Sequence, residues 1–155
     1  MRLKNKLIIA LIAAVLVGGA TAYVELGRRP STLLKPDDRE MVSRGEGIYR
    51  IACASCHGAN LEGQPNWQDR GPDGLLPAPP HDDSGHTWHH PDAVLFQLTK
   101  SGMQSLAGAD YKSAMPAFEK RLSDDDIIAV LSFIESRWSP ETRRRHAAVN
   151  QSADR

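Results

Sequence analysis

Cys53-Ala54-Ser55-Cys56-His57 gathers into five positions most of the chemistry this chain can perform. These are the only two cysteines among 155 residues, and two lone cysteines rarely fall three positions apart with a histidine directly behind them by chance. Thiols at this spacing near a helix end lie on one side of the backbone. Each can add to a vinyl group of a porphyrin while the adjacent imidazole is delivered to the iron. The spacing therefore points to covalent attachment of one haem through Cys53 and Cys56, with His57 as the proximal axial ligand. Three other chemistries use paired thiols: a zinc half-site, a thioredoxin-like redox pair, or two buried cysteines. Zinc needs further ligands, which the histidines would have to supply. A redox pair needs a strand before its helix, and the residues before Cys53 follow a helical period.

An iron held by one histidine takes a second axial ligand from elsewhere in the chain. The candidates are Met103, Met115, His81, His86, His89, His90 and His146. Met115 is placed best: in Ala114-Met115-Pro116-Ala117-Phe118, the proline fixes a loop from which a thioether can point inward. Most methionines only fill apolar gaps, and Met103, directly after Gly102, is the second choice on either reading. A further concentration lies at His81-Asp82-Asp83-Ser84-Gly85-His86-Thr87-Trp88-His89-His90, since imidazole and carboxylate suit copper or zinc. The competing reading is a polar loop that hydrogen-bonds to haem propionates and caps the next helix. Trp67, Arg70 and Trp88 carry N–H donors suited to propionates, and equally suit surface or packing positions.

Helices have to position these residues. Met41, Val42, Gly45, Ile48, Tyr49 and Ala52 recur at helical spacing and predict a helix leading into Cys53. From Gly58 to His90 no period is sustained and five prolines interrupt the chain, which predicts a long ordered loop of the kind that wraps a cofactor. Pro91 opens a short second helix with Val94, Leu95 and Leu98 on its apolar face and Gly102 as its stop. Ser123 caps the last helix, Asp124 to Asp126 complement its dipole, and Ile127, Ile128, Leu131, Ile134 and Trp138 form its stripe up to Pro140.

Nineteen Lys and Arg balance nineteen Asp and Glu; the absence of a basic excess argues against a nucleic-acid binder. At the N-terminus, Arg2, Lys4 and Lys6 precede an uncharged run from Leu7 to Val24. Residues 1–26 are expected to be a membrane anchor, with cleavage as a signal peptide at Ala20-Thr21-Ala22 as the alternative. Residues 27–36 read as a linker, 37–140 as the haem domain and 141–155 as a polar, solvated tail.

From about residue 40 to 137 the chain resembles the class I cytochromes c, through the Cys53–His57 motif and a Met115-Pro116 loop followed by a terminal helix. The resemblance implies an all-α fold with helices wrapped around one covalently attached haem c, iron held by His57 and Met115, and carriage of single electrons without enzymatic turnover. It implies that the first and last helices cross closely, with Gly45 and Tyr49 meeting Val130 and Phe133. It also implies that a carbonyl within Leu76-Pro77-Ala78-Pro79-Pro80 accepts the second imidazole hydrogen of His57. Redox proteins such as respiratory complexes are the expected partners, at the outer face of a bacterial inner membrane, with the haem domain in the periplasm. A cleaved leader would instead leave it soluble there. Two other readings stay open: a haem enzyme or gas-binding sensor with an open sixth position, and a copper-handling cytochrome using the His81–His90 segment.

Overall fold

Asp38 starts the first helix by accepting hydrogen bonds from the backbone N–H groups of Glu40 and Met41 at 3.0 and 3.1 Å. In the computed structural model, which describes residues 32–153 and 155, that helix is α1, Arg39–Ala52. It is followed by the single turn α2, Ala54–His57, the 3-10 turn Thr87–His89, and α3, Asp92–Ser101. The short α4, Gln104–Ala107, then leads through a loop to α5, Asp124–Ser136, and to α6, Pro140–Ala153. The described residues are all-helical, as the resemblance implied. The segment expected as an anchor, residues 1–26, lies outside them; among the described residues no helix is long and apolar enough to cross a membrane.

The core is built where α1 crosses α5. Ser123 and Asp126 exchange side-chain and backbone hydrogen bonds at the start of α5, a reciprocal cap that satisfies two otherwise unpaired N–H groups. Ile127, Val130, Leu131, Phe133 and Ile134 are buried along α5 and pack with Tyr49, Leu34, Leu61, Leu95 and Trp138. A helix buried on more than one side needs neighbours around it, and α1, α3 and the Leu61 loop surround this one. The crossing point is Gly45: a methyl group there would sit 2.0 Å from the Ala129 carbonyl oxygen and 2.9 Å from the Phe133 Cβ. The Tyr49 and Phe133 rings meet beside it at 5.4 Å, so the close crossing implied by the resemblance is present.

The long loop from Gly58 to His90 and the short helix after Pro91 follow the sequence expectation, with Gly102 stopping α3 at φ +81°. Three expectations need correction. The α5 helix ends at Ser136, and Trp138 is buried beyond it instead of continuing its stripe. The end of the assigned linker belongs to the folded unit: Leu34 is buried, its N–H donating to the Asp92 carboxylate at 3.1 Å, and the Lys35 N–H donates to Ser132 Oγ at 2.9 Å. The tail read as solvated is helix α6, whose Thr142, His146 and Asn150 are buried. Its docking face is polar, so a search for apolar periodicity passes over it.

Candidate functional site

The helical path breaks at Cys53, whose φ of −121° and ψ of −37° end α1, while its N–H still donates to the Tyr49 carbonyl at 2.9 Å. The chain restarts as α2 over Ala54–His57 and stops at Gly58, whose φ of +82° suits glycine. This break puts Cys53, Cys56 and His57 on one short turn. Tyr49 clamps the turn from below: fully buried, its hydroxyl donates to the Gly58 carbonyl at 2.9 Å and lies 3.3 Å from that of His57.

Both cysteines are free thiols; Cys53 is partly buried and Cys56 exposed. Burial pushes the Cys53 thiol up to about 11, helped by the neighbouring Cys56. A thiol held protonated is a weak redox nucleophile, which sets Cys53 apart from the attacking cysteine of a redox pair. His57 is 7% exposed, and its Nδ1–H donates to the Pro79 carbonyl at 2.8 Å. Burial pulls its pKa below the usual 6.5, with the Pro79 bond opposing, so the ring is neutral and Nε2 keeps its lone pair. The proline-rich segment thus supplies the carbonyl implied for it.

The other histidines are dispersed. His81 lies face to face with His57, ring centroids 4.0 Å apart. His86 stacks on Trp67 at 5.2 Å, His89 on Trp88 at 3.6 Å, and His90 meets His86 edge-on at 5.3 Å. Among the described residues the one three-residue group with metal-ligand spacing is Asp92, Glu135 and His146, so the His81–His90 segment forms no such group. In that group both His146 nitrogens face acceptors, the Trp88 carbonyl at 3.1 Å and the Asp92 carboxylate at 2.8 Å. Burial opposes a charge on this ring, yet the Asp92 carboxylate and the Trp88 carbonyl hold its pKa above 6.5, which favours an imidazolium paired with Asp92 in a buried ion pair.

Met115 is half-buried in the loop between α4 and α5, its N–H donating to Ser113 Oγ at 3.1 Å. The loop is pinned just beyond it by buried Phe118, whose N–H meets the Thr99 and Lys100 carbonyls at the end of α3. Met103 instead stands at the start of α4 with helical backbone angles. Of the three propionate candidates, Arg70 donates to the Gly74 carbonyl at 2.7 Å and Trp67 lies against His86. Trp88 differs: its indole Nε1 is buried without a hydrogen-bond partner. Such an orphan costs about 1–3 kcal/mol unless an acceptor completes it. Two free thiols and a neutral imidazole with an open Nε2 on one turn form a set that a covalently bound haem would use, and the orphaned Trp88 donor is available to an acceptor such as a propionate.

The comparisons agree with that chemistry. A family model described as cytochrome c oxidase, cbb3-type, subunit III, matches residues 40–134, more than half of the chain. The chain is similar to the cytochrome bc1 complex cytochrome c subunit of Corynebacterium diphtheriae, 33% identical over 125 residues, which are 80% of this chain and 36% of that relative. It is 47% identical over 36 residues to the protein of the same description from Corynebacterium efficiens, covering 23% of this chain and 11% of the relative. The chain thus spans about a third or less of the length of these relatives. No solved structure matches it.

Proposed function

The chain belongs to the cbb3-type cytochrome c oxidase subunit III family, c-type cytochromes of the class I fold that carry haem c, and from that membership we propose that it is a single-haem electron carrier. The observation that carries this reading is the His57 ring, buried and neutral, held through Nδ1 by Pro79 beside two unpaired thiols on the same turn. In it, Cys53 and Cys56 would form the thioethers, and His57 Nε2 and the Met115 sulfur would hold the iron. Bound there, haem supplies a one-electron ferric–ferrous couple whose potential a methionine ligand raises.

The protein's own residues do the rest. Pro79 fixes the His57 tautomer and strengthens the imidazole as a donor. Tyr49 holds the turn that carries both cysteines, and the buried Trp88 Nε1–H would be the donor for a propionate. The N-terminal segment, as a single-pass anchor, places the domain at the outer face of a bacterial inner membrane and raises its effective concentration near membrane partners. Respiratory complexes are the partner class, in keeping with the similarity to bc1 complex subunits.

Absorption spectra of protein matured with a c-type haem attachment system, oxidised and reduced, with and without carbon monoxide, test this reading. One haem per chain is expected, with a methionine–iron band at the red end of the oxidised spectrum and no shift on adding carbon monoxide. Met115→Ala is expected to lose that band and to bind carbon monoxide. A wild type that binds carbon monoxide readily, or a variant that keeps the band, overturns the Met115 assignment in favour of an open sixth position.

A further inference from the structure

The Pro79 hydrogen bond restrains the His57 ring at one nitrogen, off the axis through Nε2, and so orients it through a single contact. One hydrogen bond tolerates a spread of angles, and within that spread the ring can still rock. A flat neighbour against its face removes this freedom, and His81 is such a neighbour: its ring lies 4.0 Å from that of His57, with 20° between the planes. We propose that His81, tethered by Thr87, is a positioning residue that sets the plane in which the His57 imidazole meets the iron. The inference rests on the assignment of His57 as an iron ligand.

The loop is built to hold that ring still. The His81 N–H donates to the Leu61 carbonyl at 2.7 Å, and its own carbonyl accepts from Trp138 Nε1 at 2.7 Å. Its side chain is tied through Nδ1–H to the Thr87 hydroxyl at 2.7 Å, and Thr87 is buried. Tyr49 stands edge-on to the ring at 6.4 Å. The residue before it is gripped from two sides by glycines: a methyl on Gly63 would lie 2.4 Å from the Pro80 nitrogen, and one on Gly85 would lie 2.0 Å from the Pro80 oxygen. Histidine meets both demands of the position, a flat face for stacking and an N–H for the tether. Leucine offers neither, and phenylalanine offers only the face.

The test uses the matured haem protein in its oxidised state. Low-spin electron paramagnetic resonance and the proton shifts of the haem methyls respond to the orientation of the axial ligands, the His57 plane among them, whereas a loss of stability that leaves the ligands in place does not move them. Wild type is expected to give one set of g values and one haem-methyl pattern. His81→Leu is expected to shift that pattern or split it into more than one set, and His81→Phe to bring it back towards wild type. Thr87→Val, which removes the tether and leaves the ring, is expected to shift it as well. Wild-type spectra in His81→Leu overturn the proposal. If the leucine variant fails to accumulate, wild-type spectra in Thr87→Val overturn it instead. His57→Ala is measured in parallel: if that variant keeps the wild-type low-spin spectrum, the ligand assignment itself falls.

Discussion

A hydroxyl that donates to the end of the cysteine-bearing turn acts on stability before it acts on chemistry. Tyr49 is fully buried, and burial, with Cys53, Glu62 and Asp82 nearby, pushes its phenol far above its usual value, so the O–H is kept throughout the working range. Tyr49→Phe removes that donor from the Gly58 carbonyl, while the His57 carbonyl still accepts from the Gly63 N–H at 2.8 Å. The expected loss is therefore that of an ordinary net hydrogen bond, about 0.5–1.5 kcal/mol. It is read by denaturant unfolding of the haem-loaded protein, and an unchanged midpoint would mean that the bond contributes nothing. At this scale the Cys53–His57 motif was legible because its residues are adjacent and rare, and a carbonyl partner for His57 within Leu76–Pro80 because the family resemblance implies one; the structure identifies it as Pro79. The His57–His81 stack was not: it depends on how a loop without period folds back, and the signals that pin that loop, Gly63 and Gly85, are clear only once Pro80 is seen between them.

Helix pairing places a sharper demand on single positions. Gly45 and Gly47 lie two residues apart on α1, yet a methyl at Gly45 meets the Ala129 backbone at 2.0 Å, whereas one at Gly47 has nothing within 4 Å. Backbone cannot swing aside as a side chain can, so Gly45→Ala must push α1 from α5 and is expected to cost about 1–3 kcal/mol or more. Gly47→Ala is expected to stabilise by roughly 0.5–1 kcal/mol through helix propensity alone. Thermal unfolding of the two variants checks both signs, and equal shifts would mean that the crossing is looser than this geometry. The α1 and α5 helices were legible because apolar residues mark their buried faces. By contrast α6 was not, since Thr142, His146 and Asn150 make a buried stripe of polar residues at i, i+4 and i+8, a pattern that reads as solvated until its partners are in place.

Those partners tie three distant parts of the chain into one unit. The Asp92 carboxylate, at the first turn of α3, accepts from the Leu34 N–H, from His146 Nε2–H and from Asn150 Nδ2–H. The Asp92 N–H in turn donates to Asn150 Oδ1 at 2.8 Å. Burial works against the charge on each partner, yet hydrogen bonds from His146, Asn150 and Leu34 hold the Asp92 carboxyl below its usual value, and the Asp92 carboxylate and Trp88 carbonyl hold the His146 imidazolium above 6.5. Glu135 faces the pair from α5, its carboxyl raised mainly by burial, with Arg143 and Asp37 beyond it. A histidine whose pKa is higher folded than unfolded contributes fully below the unfolded value and loses that contribution as pH rises through the folded one. Docking of α6 is thus expected to be complete below about pH 6.5 and to weaken on the alkaline side. Asp92 sets the other limit, its contribution falling as pH drops through its lowered value. Replacing His146 by Leu strands a buried carboxylate and is expected to cost about 3–5 kcal/mol. Asp92→Asn removes the charge that holds the imidazolium and is expected to flatten the alkaline slope. Unfolding temperatures measured across this range, with limited proteolysis of α6 as the local readout, check the assignment. An alkaline slope that persists in both variants would place its origin outside this pair.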